Sequence, residues 1–126
     1  MPDANVDIVI DCADPEALAV FWAEALGYDK VGLFDAYYVL LARTREHPPV
    51  ILQRVPEPKT GKARIHFDLR VDDIESEARR LEALGARRID IGQGIDPGWI
   101  AMADPEGNEF CVCPGIPLPG APSPSE

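Results

Sequence analysis

Residues 104–113 read DPEGNEFCVC, which combines a tight turn with an alternating strand. An Asp-Pro pair opens the turn, and Gly107 supplies a residue that adopts positive φ readily. In the strand that follows, Phe110 and Val112 point to one face. The opposite face carries three polar or reactive side chains: Glu109, Cys111 and Cys113. The sequence therefore predicts a strand with its core on one side and a functional site on the other.

The length and charge of the chain limit its class. A chain of 126 residues is long enough for one domain with a sizeable core. The net charge of −10 disfavours a nucleic-acid partner, and no apolar run is long enough to cross a membrane. The first residues lack the pattern of a signal peptide, so we expect a cytoplasmic location.

The three cysteines, Cys12, Cys111 and Cys113, are odd in number and lack C-x-x-C spacing. This spacing disfavours a disulfide framework or a structural zinc site. We expect buried, reduced thiols instead.

Two segments of the chain repeat one β-α-β-β-β unit with an offset of 58 residues, which is the spacing between Gly27 and Gly85. In each unit an Asp caps the helix and a Gly ends it. The first unit has a helix that starts at Asp14, and its strands are predicted at 6–12, 28–34, 37–43 and 50–55. The second has a helix capped by Asp72, with Glu75 completing a capping box, and its strands are predicted at 65–71, 86–91, 99–103 and 109–113.

The repeat predicts an α+β fold in which two tandem βαβββ modules form a curved mixed sheet around a cleft, with the helices outside. Module one covers about 5–56, and module two covers about 64–114. The Pro- and Gly-rich stretch 56–63 connects them within one domain, 1–114. Residues 115–126 form a Pro- and Ser-rich tail that we expect to be disordered.

Two motifs carry a resemblance to a known family. The segments 14–27, DPEALAVFWAEALG, and 104–111, DPEGNEFC, resemble those of the vicinal oxygen chelate superfamily. That superfamily includes glyoxalase I, the bleomycin-resistance proteins and the extradiol dioxygenases, and the likeness is greatest to its glyoxalase-like branch. The resemblance covers about residues 5–114. It implies paired modules, a homodimer, and a small molecule bound in the cleft, commonly over a divalent metal.

The resemblance also places the family's metal-ligand positions, which fall on Asp7, Gln53, His66 and Cys111. His66 matches the family, whereas Asp7 stands where His or Gln is usual and Cys111 stands where a carboxylate is usual. A set of two His and one carboxylate is absent. We therefore expect no metal, although these four residues would hold a divalent ion if one binds. Glu109 offers a further carboxylate on the same face.

The polar face suggests chemistry without a metal as well. Asp7, Asp11, His66, Asp68, Arg70, Glu109 and Cys111 all point to it in the predicted registers. Histidine is the side chain most often used for proton transfer at physiological pH, so His66 with Glu109 is the candidate pair for acid and base catalysis. The candidate ligand-binding residues are Asp7, Gln53, Asp68, Arg70, Trp99 and Cys111. Pairing of these polar groups with one another on the sheet face is the alternative interpretation.

Three functions follow from these features. The first is a small-molecule-binding protein of the bleomycin-resistance type, with a cleft that lacks the full metal-ligand set. The second is a metal-assisted lyase or isomerase of the glyoxalase type, using His66 and a carboxylate. The third is an interaction protein with an inert cleft. The cysteine in place of the family carboxylate favours the first, with a small organic ligand and no nucleic-acid or membrane partner.

Overall fold

A computed structural model describes residues 5–44, 46–63, 65–90 and 98–115. The chain divides into two compact units, Met1–Thr60 and Gly61–Glu126, and the boundary lies within the predicted connector. Each unit contains a four-stranded mixed sheet and one helix, as the βαβββ repeat predicts. Neither helix has both the length and the apolar character needed to span a bilayer in the described part of the chain. Of the predicted tail, 115–126, only residue 115 lies within the described residues.

The first unit places its strands in the order β1-β4-β3-β2. β1 runs parallel to β4, and the other neighbours are antiparallel. A tight hairpin at Asp35 joins β2 to β3, because Phe34 pairs with Tyr37 and Asp35 has a φ of 55°. The elements are β1 (Ile8–Cys12), α1 (Pro15–Leu26), β2 (Asp29–Phe34), β3 (Tyr37–Leu41) and β4 (Val50–Arg54).

Helix α1 begins and ends where the sequence predicts. The Asp14 side chain accepts a hydrogen bond from the backbone N–H of Ala17 at 3.1 Å, which satisfies a donor that the helix itself leaves unpaired. Gly27 ends the helix in the left-handed conformation with a φ of 69°. Phe21 and Trp22 are buried in the core, as the helical spacing indicates. Their rings meet edge to face, with the ring centroids 5.0 Å apart.

The second unit places its strands in the order β5-β8-β7-β6. β5 runs parallel to β8, whereas the β8–β7 and β7–β6 pairs are antiparallel. β8 therefore lies between β5 and β7 and is paired on both edges. The elements are β5 (Asp68–Val71), α2 (Ile74–Leu84), β6 (Arg87–Arg88), β7 (Ile100–Ala103) and β8 (Glu109–Pro114).

Two predicted strands of the second unit are shorter than expected. The strand predicted at 65–71 begins at Asp68, so His66 precedes it, and Ile65 is 90% exposed rather than part of the core. The strand predicted at 86–91 contains only Arg87 and Arg88, and position 91 lies outside the described residues. Alternation within one strand does not reveal how far its pairing to a neighbour extends.

The prediction that Asp72 caps the second helix is wrong by one residue. Asp73 is the cap, and its carboxylate accepts a hydrogen bond from the backbone N–H of Ser76 at 3.1 Å. Glu75, the expected capping-box partner, instead accepts hydrogen bonds from Arg88 at 2.8 and 3.0 Å. With Asp73 as the cap, Ser76 and not Glu75 stands at the third helical position, so the predicted capping box cannot form.

The two faces of β8 alternate as predicted from residues 104–113. On the helix side, Phe110 pairs with Met102 of β7, and both side chains are fully buried beside α2. On the other side, Cys111 and Cys113 form a buried cluster with Ala101, against which Ile89 and Trp99 pack. β8 is thus buried on both faces. The face away from α2, called the front face below, has an apolar floor beneath its polar groups.

Candidate functional site

A pocket of about 610 Å³ opens on the front face of the second unit. Its floor contains the two thiols of β8 and the Trp99 ring, and its rim contains charged side chains that precede or belong to β5. The lining includes His66, Asp68, Arg70, Trp99, Cys111 and Cys113. Five of the predicted site residues therefore meet in one place: His66, Asp68, Arg70, Trp99 and Cys111.

Strand register explains why these residues converge. In the parallel β5–β8 pair, Asp68 lies opposite Cys111 and Arg70 lies opposite Cys113. Residues two apart on a strand share a face, so both pairs project to the same side. His66, two residues before Asp68, continues the same alternation just outside the strand.

Asp68 links the polar groups of the rim. Its Oδ1 atom lies 3.5 Å from His66 Nε2, and its Oδ2 atom accepts a hydrogen bond from Arg70 Nη2 at 3.2 Å. Arg70 also donates from Nη1 to the backbone carbonyl of Pro114 at 2.9 Å. Two hydrogen bonds therefore fix the Arg70 guanidinium. Its positive charge compensates the negative charge of Asp68.

The two thiols of the floor resist ionisation. Burial, followed by the charges of Asp68, Cys113 and Glu109, raises the pKa of Cys111 from 9.0 to about 11, against a smaller opposing effect of Lys62. Burial and Asp68 raise the pKa of Cys113 as well. None of the three cysteines, all within the described part of the chain, forms a disulfide. In the ligand-free protein at neutral pH both floor thiols are protonated, and neither is an activated nucleophile.

Three of these side chains are close enough to share a metal ion. One ligand atom from each of His66, Asp68 and Cys111 lies within 4.8 Å of the other two. An imidazole, a carboxylate and a thiol suit zinc and similar ions, which accept nitrogen and sulfur. The set does not suit Mn(II), which prefers oxygen ligands. The residues present thus fit the zinc class of ion and do not fit the manganese class.

The other predicted site residues lie elsewhere in the fold. Asp7 and Gln53 belong to the first unit, where Gln53 pairs with Asp11 across β1 and β4. Asp7 lines a separate pocket of about 860 Å³ together with Arg43 and His47. Their roles as metal or ligand contacts stay predictions.

Glu109, the predicted catalytic carboxylate, has a clear structural partner. Its Oε1 atom accepts a hydrogen bond from the backbone N–H of Ala63 at 2.6 Å, which ties β8 to the segment before β5. It is not among the residues that line the pocket in the described part of the chain. A catalytic role for Glu109 stays a prediction.

Asp68 and Cys113 have positions that sequence reasoning did not fully use. Asp68 was expected on the polar face as a ligand contact, but not as a partner of His66 and Cys111 in a possible metal site. The signal was present in the i, i+2 spacing of His66, Asp68 and Arg70. Cys113 shows the same spacing from Cys111 and shares its face.

Solved structures with this fold come from several bacterial proteins. FosX, a fosfomycin resistance protein from Mesorhizobium loti, is 16% identical with a TM-score of 0.68, over 93% of this chain and 95% of that one. A FosX mutant from Listeria monocytogenes, complexed with Mn(II) and 1S,2S-dihydroxypropylphosphonic acid, is 12% identical with a TM-score of 0.67, over 93% and 95%. A glyoxalase/bleomycin resistance protein/dioxygenase family enzyme from Burkholderia phytofirmans PsJN is 16% identical with a TM-score of 0.63, over 85% and 97%.

At these identities the structural similarity establishes the fold and leaves the activity open. No curated protein sequence shows significant similarity to this chain. The family model of the glyoxalase-like domain matches residues 7–113, which include strands of both units. The βαβββ topology of each unit agrees with that match. The chain therefore belongs to the glyoxalase-like domain family, within the vicinal oxygen chelate superfamily.

Proposed function

We propose that the protein binds a small organic molecule in the pocket of the second unit. The observation that supports this function is the combination of an apolar floor with a polar rim, which is typical of small-molecule sites. Trp99 and the two protonated thiols supply apolar contact area. His66 and Asp68 supply a donor and an acceptor at one edge.

The charges of the rim indicate the class of ligand. Both terminal nitrogens of Arg70 already donate hydrogen bonds, to Asp68 and to Pro114. Asp68 already compensates the positive charge of Arg70, so Arg70 attracts a phosphate or phosphonate less strongly than an unpaired guanidinium would. A planar molecule that stacks on Trp99 and carries a neutral or weakly charged polar group suits this pocket best.

The test is a thermal-shift screen in the presence of a chelator. The probes are planar aromatic and heteroaromatic compounds with one amide, hydroxyl or amino group. Compounds that raise the melting temperature of the wild type are expected to lose this effect in His66→Ala and Trp99→Ala. His47→Ala, which removes the only other histidine of the chain, is the matched control and keeps it. Stabilisation that survives both pocket variants contradicts the proposed site.

A second candidate function is metal-assisted lyase or isomerase chemistry. The observation that favours it is the convergence of His66, Asp68 and Cys111. A zinc-class ion, when bound, supplies a Lewis acid that polarises an oxygen of the substrate. His66 and Asp68 would then hold the ion rather than transfer protons. The assay is turnover of glyoxalase-type substrates after loading with zinc, compared with the chelated protein.

The homodimer and the cytoplasmic location expected from the sequence stay predictions. Size-exclusion chromatography with light scattering tests the first, and subcellular fractionation tests the second.

A further inference from the structure

Cys111 and Cys113 place two thiols on one face of β8, and neither forms a disulfide. They are two residues apart on a strand, so their side chains project to the same side. Both line the pocket of the second unit, and both belong to the buried cluster against which Trp99 packs. Beside a planar ligand these thiols act only as apolar surface, whereas a pair of thiols in one pocket also forms covalent bonds.

We infer that Cys111 and Cys113 together bind a trivalent arsenical that carries an aromatic ring, with the ring placed against Trp99. Trivalent arsenic bonds most firmly to pairs of neighbouring thiols, because one arsenic atom bridges both sulfur atoms in a closed ring. The inference rests on the proposed ligand pocket and names a further class of ligand for it. It depends on Cys113 and on no metal ion.

The reaction needs only the two thiols and the arsenical. In water the arsenical is a neutral dihydroxide, R–As(OH)₂. Each thiol forms one As–S bond while one As–O bond breaks, and the thiol proton leaves with the hydroxyl as water. Two such steps attach arsenic to both sulfur atoms and release two water molecules. Arsenic stays trivalent throughout, so no oxidant or reductant takes part.

The surroundings of the two thiols favour this condensation over alkylation. Burial and the charge of Asp68 raise the pKa of both thiols, which disfavours the thiolate that alkylating reagents require. Condensation starts from the protonated thiols, because each leaving water takes up a thiol proton. The dihydroxide is also neutral, as is the polar group that the rim of the pocket suits best.

The strand sets the distance between the two thiols. A rise of about 3.3 Å per residue separates their Cα atoms by roughly 6.6 Å. Rotation about the two Cα–Cβ bonds turns the sulfur atoms toward each other, and both already face a cavity of about 610 Å³. A cavity of this size accommodates a phenyl ring on the arsenic. Trp99 packs against the thiol cluster, so the ring has an aromatic partner.

Intact-mass spectrometry of the reduced full chain, with phenylarsine oxide as the probe, tests the inference. A chelator removes metal ions, and excess glutathione removes arsenic that is held by a single thiol. We expect one adduct, with the mass of the dihydroxide less two waters, on the proteolytic fragment that contains both thiols of β8. The adduct should also raise the melting temperature, because the folded pocket supplies contacts to the ring that the unfolded chain lacks.

Variants separate this pair of thiols from other groups. Cys111→Ser and Cys113→Ser should each weaken binding at least about a hundredfold, because the second, intramolecular As–S bond is lost. Cys12→Ser removes a buried thiol of the first unit and is the matched control that keeps the adduct. Trp99→Ala should abolish the preference for phenylarsine oxide over methylarsonous acid. The fragment map and the melting temperature use the wild type, so they decide the question if a serine variant does not fold.

Several outcomes overturn the inference. They are the absence of an adduct that survives glutathione, an adduct on Cys12, full binding by either serine variant of β8, no effect of Trp99→Ala, and a melting temperature that does not rise. The last means that folded β8 does not accommodate the bridge. Stabilisation by planar compounds without an arsenic adduct contradicts this inference alone, whereas the expected adduct without such stabilisation contradicts the proposed function alone.

Discussion

Asp68 and Cys111 lie directly opposite each other in the parallel β5–β8 pair, so a carboxylate and a thiol share one face of the second sheet. The carboxylate is bound by Arg70 and lies beside His66, while the thiol is buried on the pocket floor. This juxtaposition places a charged rim directly above an apolar, sulfur-containing floor. It is the relationship on which both the proposed ligand site and the proposed ion site depend.

Removing the Asp68 charge is expected to ease ionisation of the floor thiols. The carboxylate raises the pKa of both Cys111 and Cys113, so Asp68→Asn lowers both values in metal-free protein. Thiolate absorbance followed against pH, in a Cys12→Ser background, measures the change. Asp11→Asn, an exposed carboxylate of the first sheet, is the control and leaves the titration unchanged. Identical titration curves for Asp68→Asn and its parent contradict this electrostatic account.

Alkaline pH is expected to destabilise the second unit through Cys111. The folded-state pKa is raised from 9.0 to about 11, so the unfolded chain releases this proton first as the pH rises. The free energy of unfolding therefore falls between these two values and is unaffected by this group below them. Urea unfolding of the wild type and Cys111→Ala across that range isolates the contribution. The account fails if both proteins lose stability with the same slope.

The turn at Asp104 is expected to be a major source of stability. Asp104 is fully buried, and its Oδ1 atom accepts hydrogen bonds from the backbone N–H groups of Glu106 and Asn108, both at 2.9 Å. Asp104→Ala leaves these donors unsatisfied and should lower the free energy of unfolding by about 3 kcal/mol. Asp104→Asn keeps an acceptor and should cost less. Urea unfolding measures both, and a loss below about 1 kcal/mol for the alanine variant rules out this role.

Two adjacent aspartates, Asp72 and Asp73, precede α2, and only Asp73 caps the helix. Asp73 accepts the hydrogen bond from the Ser76 N–H, and Asp72 does not cap the helix. Asp73→Ala is expected to lower the free energy of unfolding by about 1 kcal/mol, and Asp72→Ala to change it little. Thermal or urea unfolding of the two variants side by side decides between the positions. The reverse order would restore the cap expected from the sequence.

Local patterns predicted the parts of the fold that local chemistry determines. The ends of α1 followed from Asp14 and Gly27, and the faces of β8 followed from alternation in residues 109–113. The cap of α2 was missed because two adjacent aspartates both satisfy the pattern. The one-residue shift of the cap places Ser76 where the capping box needs Glu75, and Glu75 instead pairs with Arg88.

The candidate site was predictable as a face but not as a set of contacts. His66, Asp68, Arg70 and Cys111 were all expected on the polar side, and they line one pocket. That Asp68 stands opposite Cys111 depends on the register between β5 and β8, which are far apart in sequence. The apolar floor was missed for a related reason, since Ala101 and Ile89 complete it from other strands or loops.

The most direct test of the proposed ligand site is amide chemical-shift mapping in ¹⁵N-labelled protein, with the strongest compound from the thermal-shift screen and a chelator present. We predict that the saturable shifts concentrate at His66, Asp68, Trp99 and Cys111. The alternative location is the first-unit pocket lined by Asp7, Arg43 and His47. Shifts confined to that pocket, with none around Asp68 and Cys111, would contradict the assignment of the ligand to the second unit.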